Sequence, residues 1–333
     1  MIPTGVGRIG AFLRSALSGR SPVRNTDAGH HCGPVRNRDA APSVASNGIE
    51  IAYETFGAPG GRPLVLVTGL GAQMLVWHPE LCAALAAEDF FVLRYDNRDV
   101  GLSTHLHDAP PPNLGAAIGG DFSSASYRVE DMANDGVGLL DALGLDRAHV
   151  VGASLGGMIA QTMAIMHPDR VRSLTSIMST PGIGIGSATP ATQAALSTPL
   201  PRSRAEAVEW TVAIQKIIGS PGYPMDEPWI RELAGQSYDR GFDPAGMGRQ
   251  HLAIYASGDR TAALARVTAP ALLVHGEADP LIQLSGGQAT AAALPDAELL
   301  AVPGMGHDLP RKIWPTLVAV ISRHADRAKA LRN

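Results

Sequence analysis

The sequence contains few cysteines, no large excess of one charge and no long apolar run. Its two cysteines, Cys32 and Cys82, are too few for a disulfide framework or a thiolate metal site. No stretch approaches the roughly 18 apolar residues of a membrane span. The 27 Lys and Arg residues against 31 Asp and Glu residues give a formal net charge of -4, which argues against a nucleic-acid partner. We therefore expect a cytoplasmic protein without a transmembrane segment.

Sequence motifs for metal and nucleotide binding are absent as well. The sequence has neither the H-E-x-x-H pattern of a zinc hydrolase nor the G-x-x-x-x-G-K-S/T pattern of a phosphate-binding loop. The glycines between residues 182 and 186 lack the strand-turn-helix context of a dinucleotide site. We therefore expect that the protein uses neither a metal ion nor a cofactor. We expect its partner to be a small-molecule substrate.

The composition is that of a globular protein, except at the N-terminus. Of the 333 residues, 45% are hydrophobic and 17% are charged. Arginines outnumber acidic residues over the first forty positions, and Arg8 and Arg14 interrupt the apolar stretch that a secretory signal requires. We predict a basic, flexible extension over residues 1–45. In the alternative interpretation, a short amphipathic helix around Phe12 and Leu17 makes weak contact with a membrane surface.

From residue 48 onwards, strand patterns alternate with helical ones. Ile49, Ile51 and Tyr53 alternate with polar residues, as in a half-buried strand near a sheet edge, which predicts an antiparallel start. Further predicted strands are short apolar runs at 63–67, 90–95, 149–152, 174–178, 271–274 and 298–302. Alternation of such runs with helices predicts a mostly parallel sheet flanked by helices, with ligands beyond the carboxyl ends of the strands.

Strand patterns disappear in the middle of the chain. Between about residues 181 and 262 helical signals dominate, among them the capping-box pattern of Ser203 and Glu206. We predict that residues 181–262 form a helical cap inserted into an α/β core made of residues 46–180 and 263–333.

The residues Gly-Ala-Ser-Leu-Gly at 152–156 follow an apolar strand and precede a helical pattern. The pattern G-x-S-x-G in this context is typical of a nucleophile elbow, where small residues on either side of the serine permit a sharp turn. We predict that Ser154 is a nucleophile. The alternative is a tight strand-to-helix turn without a catalytic role.

A serine nucleophile requires a base, and the base requires a carboxylate that orients it. Asp279 and His307 each follow a predicted strand, and the chain order Ser, Asp, His fits the elbow architecture. Glu277 would be the acid if the loop register shifted by two. Asp308 adjoins His307 and is expected to point elsewhere.

The sequence contains 11 histidines, so the other candidates for the base need an interpretation of their own. His149 at a strand start is interpreted as structural. His275 ends a strand before the acid loop and lacks the late chain position of the base. For His251 in the cap we expect a surface or packing role, with contact to substrate as the alternative.

Acyl transfer also requires hydrogen-bond donors for the oxyanion of the tetrahedral intermediate. The amide of Leu155 follows the nucleophile at a helix N-terminus, where N–H groups lack intrahelical partners. A second donor is expected from the Thr-Gly-Leu-Gly loop at 68–71, with the Leu70 amide as the candidate.

Three segments resemble the α/β-hydrolase superfamily, and the resemblance extends over about residues 46–330. They are Arg-Tyr-Asp-Asn-Arg-Asp-Val-Gly-Leu-Ser-Thr at 94–104, the elbow at 152–157 and Pro-Gly-Met-Gly-His-Asp-Leu-Pro at 303–310. They are similar to bacterial esterases and lipases of the LipG type and to the aclacinomycin methylesterase group. We interpret Asp96, Arg98 and Asp99 as a structural brace after a strand, with a substrate contact from Arg98 as the alternative.

The resemblance implies an α/β-hydrolase fold and a carboxylic ester hydrolase without a cofactor. It assigns the triad to Ser154, Asp279 and His307, and the oxyanion hole to the amides of Leu70 and Leu155. Relatives include thioesterases and phospholipases. Serine at the nucleophile position argues against haloalkane dehalogenases and epoxide hydrolases, whose relatives have aspartate there.

The cap is expected to select the substrate. Candidate pocket residues are Trp210, Tyr223, Met225 and Trp229. Because the cap lacks a conspicuous charge cluster, we expect a neutral, apolar ester or lipid substrate. C–C bond hydrolases and perhydrolases on the same triad are alternatives. A ligand-binding protein on the same fold is the alternative without catalysis.

Overall fold

Eight strands form one sheet in the computed structural model, which describes residues 41–330. In chain order they are β1 (Ser43–Ser46), β2 (Ile49–Phe56), β3 (Arg62–Val67), β4 (Phe90–Tyr95), β5 (Ala148–Ala153), β6 (Val171–Ile177), β7 (Ala271–Gly276) and β8 (Ala297–Val302). Their order across the sheet is β1-β2-β4-β3-β5-β6-β7-β8. The pairs β1-β2 and β2-β4 are antiparallel, and the other pairs are parallel. The predicted mostly parallel sheet with an antiparallel start is therefore confirmed.

The sheet begins earlier in the chain than the sequence predicts. Residues 43–45, assigned above to the extension 1–45, belong to β1, which is joined to β2 by a turn at Asn47 and Gly48. Both turn residues have positive φ, 48° and 81°, as a two-residue Asn-Gly hairpin favours. The sequence Ser-Val-Ala-Ser carries no apolar run, so pairing with β2 is what makes it a strand. Most of the predicted extension, with its candidate membrane-contacting helix, lies outside the described residues.

Eleven α-helices connect the strands in the part of the chain that the structure describes. In chain order they are α1 (Pro79–Ala86), α2 (Leu114–Ile118), α3 (Val129–Ala142), α4 (Leu155–Met166), α5 (Pro190–Leu196), α6 (Arg204–Ile218), α7 (Glu227–Gly241), α8 (Pro244–Ser257), α9 (Thr261–Leu264), α10 (Leu284–Ala293) and α11 (Trp314–Ala330). Among these helices of residues 41–330, none has both the length and the apolarity that crossing a membrane requires.

Apolar side chains cover both faces of the central strands. In β3, Val65 and Val67 belong to the cluster that contains α3 and α4, whereas Leu64 and Leu66 belong to the cluster that contains α1 and α11. All four side chains are fully buried, since successive side chains of a strand point to opposite faces. Burial on both faces explains the continuous apolar run, and each such side chain contributes roughly 1.5–3 kcal/mol to stability.

The chain between β6 and β7 is helical. Helices α5 to α9 lie in this stretch, which the structure describes throughout and in which it places no strand. Ser203 caps α6, because its hydroxyl accepts a hydrogen bond from the N–H of Glu206 at 3.3 Å. We call residues 181–262 the cap segment. That it is a separate unit inserted into the core stays a prediction.

Buried ion pairs join the loop after β4 to the surrounding helices. They are Arg98 with Asp135 of α3 at 2.6 Å, Asp96 with Arg240 of α7 at 2.5 Å, and Asp99 with Arg249 of α8 at 2.7 Å. Removing one partner of a buried pair leaves an uncompensated charge, at a cost of about 3–5 kcal/mol. This loop therefore fixes α7 and α8 of the cap segment to the sheet, in agreement with the structural interpretation of its charged residues.

Candidate active site

Ser154 occupies a sharp turn between β5 and α4. Its backbone angles are φ 57° and ψ -120°, a left-handed conformation that costs a residue other than glycine of the order of 1–3 kcal/mol. A Cβ atom at Gly152 would overlap the carbonyl oxygen of Gly156, and one at Gly156 would overlap that of Val67. Both glycines of the G-x-S-x-G pattern are therefore required by close backbone contacts.

Hydrogen bonds hold the strained turn in place. The N–H of Ser154 donates to the carbonyl of Ile177 at 2.9 Å, and the carbonyl of Ser154 accepts from the Ser179 hydroxyl at 2.8 Å and the N–H of Gly157 at 2.9 Å. These bonds fix the backbone on both sides of the side chain. The Ser154 side chain lies in a partly exposed position at the carboxyl end of the parallel strands.

Asp279 and His307 form a hydrogen-bonded pair at the same end of the sheet. Nδ1 of His307 lies 2.7 Å from Oδ2 of Asp279. The other carboxylate oxygen, Oδ1, accepts from the N–H groups of Leu281 and Ile282 at 2.9 and 3.0 Å. Because the carboxylate engages Nδ1, this nitrogen carries the proton and Nε2 is the free acceptor of the neutral ring.

The structure brings the three predicted triad residues to neighbouring loops but does not connect all of them. They follow β5, β7 and β8, which lie in sequence order on one side of β3. Within residues 41–330, Ser154 Oγ forms no hydrogen bond with His307 or any other residue. Catalytic hydrogen bonds are often long without substrate and shorten in the reacting complex.

The predicted oxyanion donors are N–H groups without a hydrogen-bond partner in residues 41–330. Leu155 is the first residue of α4 and Leu70 lies in the loop after β3, and neither N–H donates to another residue of the described chain. A Cβ atom at Gly69 would lie 3.3 Å from Cβ of Ser154, so this loop packs directly against the nucleophile. The N–H of Gly71, by contrast, donates to Gln250 at 2.8 Å.

The cap segment holds the backbone around His307. The N–H of His307 donates to the carbonyl of Ile218 at 2.7 Å, and the N–H of Gly306 donates to the Ser220 hydroxyl at 2.9 Å. A side chain at position 306 would overlap the carbonyl of Gly219. The position of the imidazole therefore depends on the chain that follows α6.

Asp308 faces the cap segment. Its carboxylate accepts from the Ser220 hydroxyl and, at 2.9 Å, from Nε2 of Gln215. Burial raises the pKa of the Asp308 carboxyl above its usual value, although these hydrogen bonds oppose the shift. The carboxylate is thus part of the contact between the cap segment and the His307 loop, and within residues 41–330 no hydrogen bond joins it to the imidazole.

The alternative acid and bases lie in other environments. Glu277 is exposed. The His275 ring is buried, donates from Nε2 to the carbonyl of Ile282 at 2.7 Å, and lies 3.7 Å from Asp279 Oδ2. Burial lowers the pKa of His275, which favours a neutral ring that supports the acid loop. His149 is hydrogen-bonded to a neighbouring strand through the Ser173 hydroxyl at 2.8 Å.

The four predicted pocket residues lie in different parts of the cap segment. They are Trp210, Tyr223, Met225 and Trp229. The indole of Trp210 donates to the Thr198 hydroxyl at 3.2 Å, and the ring of Trp229 lies 4.2 Å from that of His78. Tyr223 packs against the cluster that contains α11, and Met225 is half-buried. Contact of these side chains with substrate stays a prediction.

Sequence reasoning missed the residues of α8 that meet residues 68–71, which we call the oxyanion loop because they contain the predicted donor Leu70. A Cβ atom at Gly71 would lie 2.9 Å from Cγ and Sδ of Met247. Besides its bond to Gly71, Gln250 donates to the carbonyl of Arg98 at 2.7 Å. The contact between Gly71 and Gln250 joins residues 179 positions apart, and no local sequence motif predicts it.

Comparison with known proteins identifies the family of this chain. The family model described as alpha/beta hydrolase fold matches residues 62–310. The chain belongs to the α/β-hydrolase family. Rhodomycin D methylesterase DauP of Streptomyces sp. (strain C5) is 27% identical over 307 residues, which cover 86% of this chain and 98% of the relative.

Two further comparisons give another relative and a solved structure of similar fold. A putative carbamate hydrolase, RutD of Caulobacter segnis, is 30% identical to this α/β hydrolase over 260 residues, covering 77% of this chain and 89% of the relative. The crystal structure of an enol-lactonase from Burkholderia xenovorans LB400 has a TM-score of 0.65 at 23% identity, covering 85% of this chain and 99% of the other. The predicted family, fold and enzyme class, a hydrolase of the ester-hydrolase type, are confirmed.

In the described part of this α/β hydrolase, one group of side chains has the spacing of a metal site. It consists of Asp99, His105 and Asp243. The carboxylate of Asp99 already accepts from the guanidinium of Arg249 and from the hydroxyl of Tyr127, at 2.7 Å each. Because its oxygens are engaged by these donors, the group fits a structural network better than a cation site.

Proposed function

We propose that this α/β hydrolase cleaves carboxylic esters through Ser154, His307 and Asp279. The observation that carries the proposal is the hydrogen bond between Asp279 and His307, at the same end of the sheet as a serine in a strained strand-to-helix turn. The carboxylate fixes the tautomer in which Nε2 accepts a proton. A neutral imidazole poised in this way is the base that a serine nucleophile requires.

The reaction proceeds in two acyl-transfer steps. His307 Nε2 takes the proton of Ser154 as Oγ bonds to the ester carbonyl carbon. The resulting oxyanion accepts hydrogen bonds from the amides of Leu70 and Leu155, and each such donor contributes about 3–4 kcal/mol to the transition state. His307 then protonates the leaving oxygen, the ester bond breaks, and water activated by the same imidazole releases the acyl group from Ser154.

The relatives support ester chemistry, and the cap segment supports an apolar substrate. One relative is named as a methylesterase, and the half-buried Trp210, Tyr223, Met225 and Trp229 of the cap segment offer apolar surface. We therefore propose a neutral, apolar carboxylic ester, with lipid esters included, as the substrate class. A carbamate is the second candidate because of the relative named for that reaction.

The test combines active-site labelling with turnover. We expect a fluorophosphonate probe to label Ser154 stoichiometrically, and one or more p-nitrophenyl esters between acetate and palmitate to be hydrolysed. Ser154→Ala should abolish labelling and lower kcat by roughly 10⁴ or more. Retention of esterase activity by the alanine variant would overturn the proposal.

The assignment of the acid has a matched control. Asp279→Asn leaves His307 Nδ1 without its carboxylate, and we expect kcat to fall by about 10⁴. Glu277→Gln removes an exposed carboxylate two residues earlier and should leave kcat within twofold. The reverse result would assign the role to Glu277.

A further inference from the structure

His251 of α8 is a polar side chain for which the described chain provides no polar partner. Within residues 41–330 neither ring nitrogen takes part in a hydrogen bond or ion pair. The ring lies against that of Tyr255, one turn later, at 5.4 Å between ring centroids. The hydroxyl of Tyr255 also has no hydrogen-bond partner among the described residues. Neither residue has a polar atom that is both sealed from solvent and unpaired, so these polar atoms are accessible and can bond to a ligand or to water.

The protein surrounds the His251 ring but leaves part of it accessible to solvent. Burial lowers the pKa of His251 to about 4, with no neighbouring charge contributing, so the ring is neutral near pH 7. The side chain nevertheless keeps part of its surface accessible. A ring that is surrounded by protein and still accessible faces an internal space or a narrow cleft.

The position on α8 directs His251 towards the predicted catalytic loop. Met247 lies one turn earlier and packs on Gly71, and Gln250 holds the Gly71 amide. Residues four apart lie on the same face of a helix, with Cβ atoms about 5–6 Å apart. Gly71 adjoins Leu70, the predicted oxyanion donor. The His251 ring is therefore on the side of α8 that faces the oxyanion loop.

Tyr255 continues this row of side chains to a cleft. The cleft has a volume of about 220 Å³, and Phe122, Ile183 and Tyr255 contribute to its lining. Its charged lining residue, Asp259, accepts hydrogen bonds from the N–H and hydroxyl of Thr261. Tyr255 therefore borders a cleft whose lining is mostly apolar, as in a ligand site with few polar groups.

We propose that His251 and Tyr255 form a subsite that binds a hydroxyl group of the substrate. A neutral imidazole offers one donor and one acceptor, and a phenol offers both, so a hydroxyl between them satisfies both rings. The substrate class is then an apolar ester that carries a hydroxyl group at a distance from the scissile carbonyl. This inference rests on the proposed ester hydrolysis.

The test compares matched esters. p-Nitrophenyl hexanoate, octanoate and decanoate are each assayed against the analogue with a terminal hydroxyl, and the ratio of the two kcat/KM values is the selectivity. In the wild type we expect the ratio to exceed one for at least one length. His251→Phe and Tyr255→Phe should each lower it about three- to tenfold, the effect of losing one hydrogen bond to a neutral partner.

Two variants serve as controls. His251→Gln keeps a donor and an acceptor and should retain most of the selectivity. Tyr238→Phe removes a phenol from α7 instead and should leave the ratio unchanged. Equilibrium binding of the same esters to Ser154→Ala, with and without His251→Phe, provides a readout that is independent of turnover.

The outcomes separate the two proposals. Absence of ester turnover and of Ser154 labelling would overturn the proposed function. Normal turnover with a selectivity ratio that neither phenylalanine variant changes would overturn the subsite alone. If His251→Phe does not fold, Tyr255→Phe and His251→Gln decide the question, because loss of selectivity in the first and retention in the second are both required.

Discussion

Replacing Ser220 with alanine tests whether the cap segment positions the proposed base. The Ser220 hydroxyl accepts from the N–H of Gly306 at 2.9 Å and donates to the carboxylate of Asp308. These two residues flank His307 in the chain. In the alanine variant the N–H of Gly306 and the carboxylate of Asp308 lose this half-buried partner. The loop around His307 then either keeps its position with these groups unpaired or moves so that they find other partners.

The size of the effect follows from these two bonds. A buried donor without a partner costs about 1–3 kcal/mol, and a hydrogen bond to a charged group contributes about 1.5–3 kcal/mol. We expect the unfolding free energy to fall by about 2 kcal/mol. If a similar amount is lost in the transition state, kcat falls roughly 30-fold, since 1.36 kcal/mol corresponds to tenfold. KM should change little, because no proposed substrate contact is removed.

The assay measures kcat and KM on one p-nitrophenyl ester together with urea unfolding. Ser203→Ala is the matched control: it removes the N-terminal cap of α6, the helix that precedes Ser220, and should cost about 1 kcal/mol of stability with kcat within twofold. Ser220→Thr retains a hydroxyl and should restore kcat. A Ser220→Ala protein that loses stability but keeps the wild-type kcat would refute the positioning role and leave a purely structural contact.

Other predictions concern strain, packing and protonation. Ser154→Gly should exceed Ser154→Ala in unfolding free energy by about 1 kcal/mol, because relief of roughly 1–3 kcal/mol of backbone strain outweighs the extra chain entropy of glycine; equal urea midpoints would contradict a strained elbow. Gly152→Ala should abolish fluorophosphonate labelling and lower Tm, because its Cβ overlaps the Gly156 carbonyl. The pKa of His251 is lowered to about 4 in the fold, against 6.5 for a free ring. The unfolded chain therefore binds the proton first, and stability present above pH 6.5 is lost towards pH 4, by roughly 3 kcal/mol. Urea unfolding at pH 7 and pH 4 should show that His251→Gln lacks this loss, and an unchanged loss would contradict a neutral, desolvated ring.

Local patterns predicted the parts of the fold that local chemistry determines. The apolar run at 63–67 predicts a strand that is buried on both faces. The structure confirms this prediction, because each face of β3 packs against an apolar cluster. The elbow at Ser154 is predictable because a turn this sharp requires small residues two positions before and after the serine, where larger side chains would overlap the backbone. Asp279 and His307 follow from chain order and strand ends, and the structure brings them to hydrogen-bonding distance.

Contacts between distant segments were not predictable in the same way. Gln250 meets Gly71 across 179 positions, and Ser220 meets Asp308 across 88. Neither partner has an unusual local pattern, since a serine after a helix and a glutamine within one are common. The strand β1 was missed for a related reason, because its residues become a strand through pairing with β2 and not through an apolar run.

The buried pairs of Asp96 with Arg240 and Asp99 with Arg249 also limit how this protein can be recombined. A chimera that exchanges residues 181–262 for the corresponding segment of another α/β hydrolase would leave the carboxylates of Asp96 and Asp99 without their arginine partners. Each would cost about 3–5 kcal/mol unless the incoming helices present arginines in the same places. The acids after β4 and the arginines of α7 and α8 therefore depend on each other. We expect an exchange of specificity between relatives to succeed only when the acids and the arginines are transferred together.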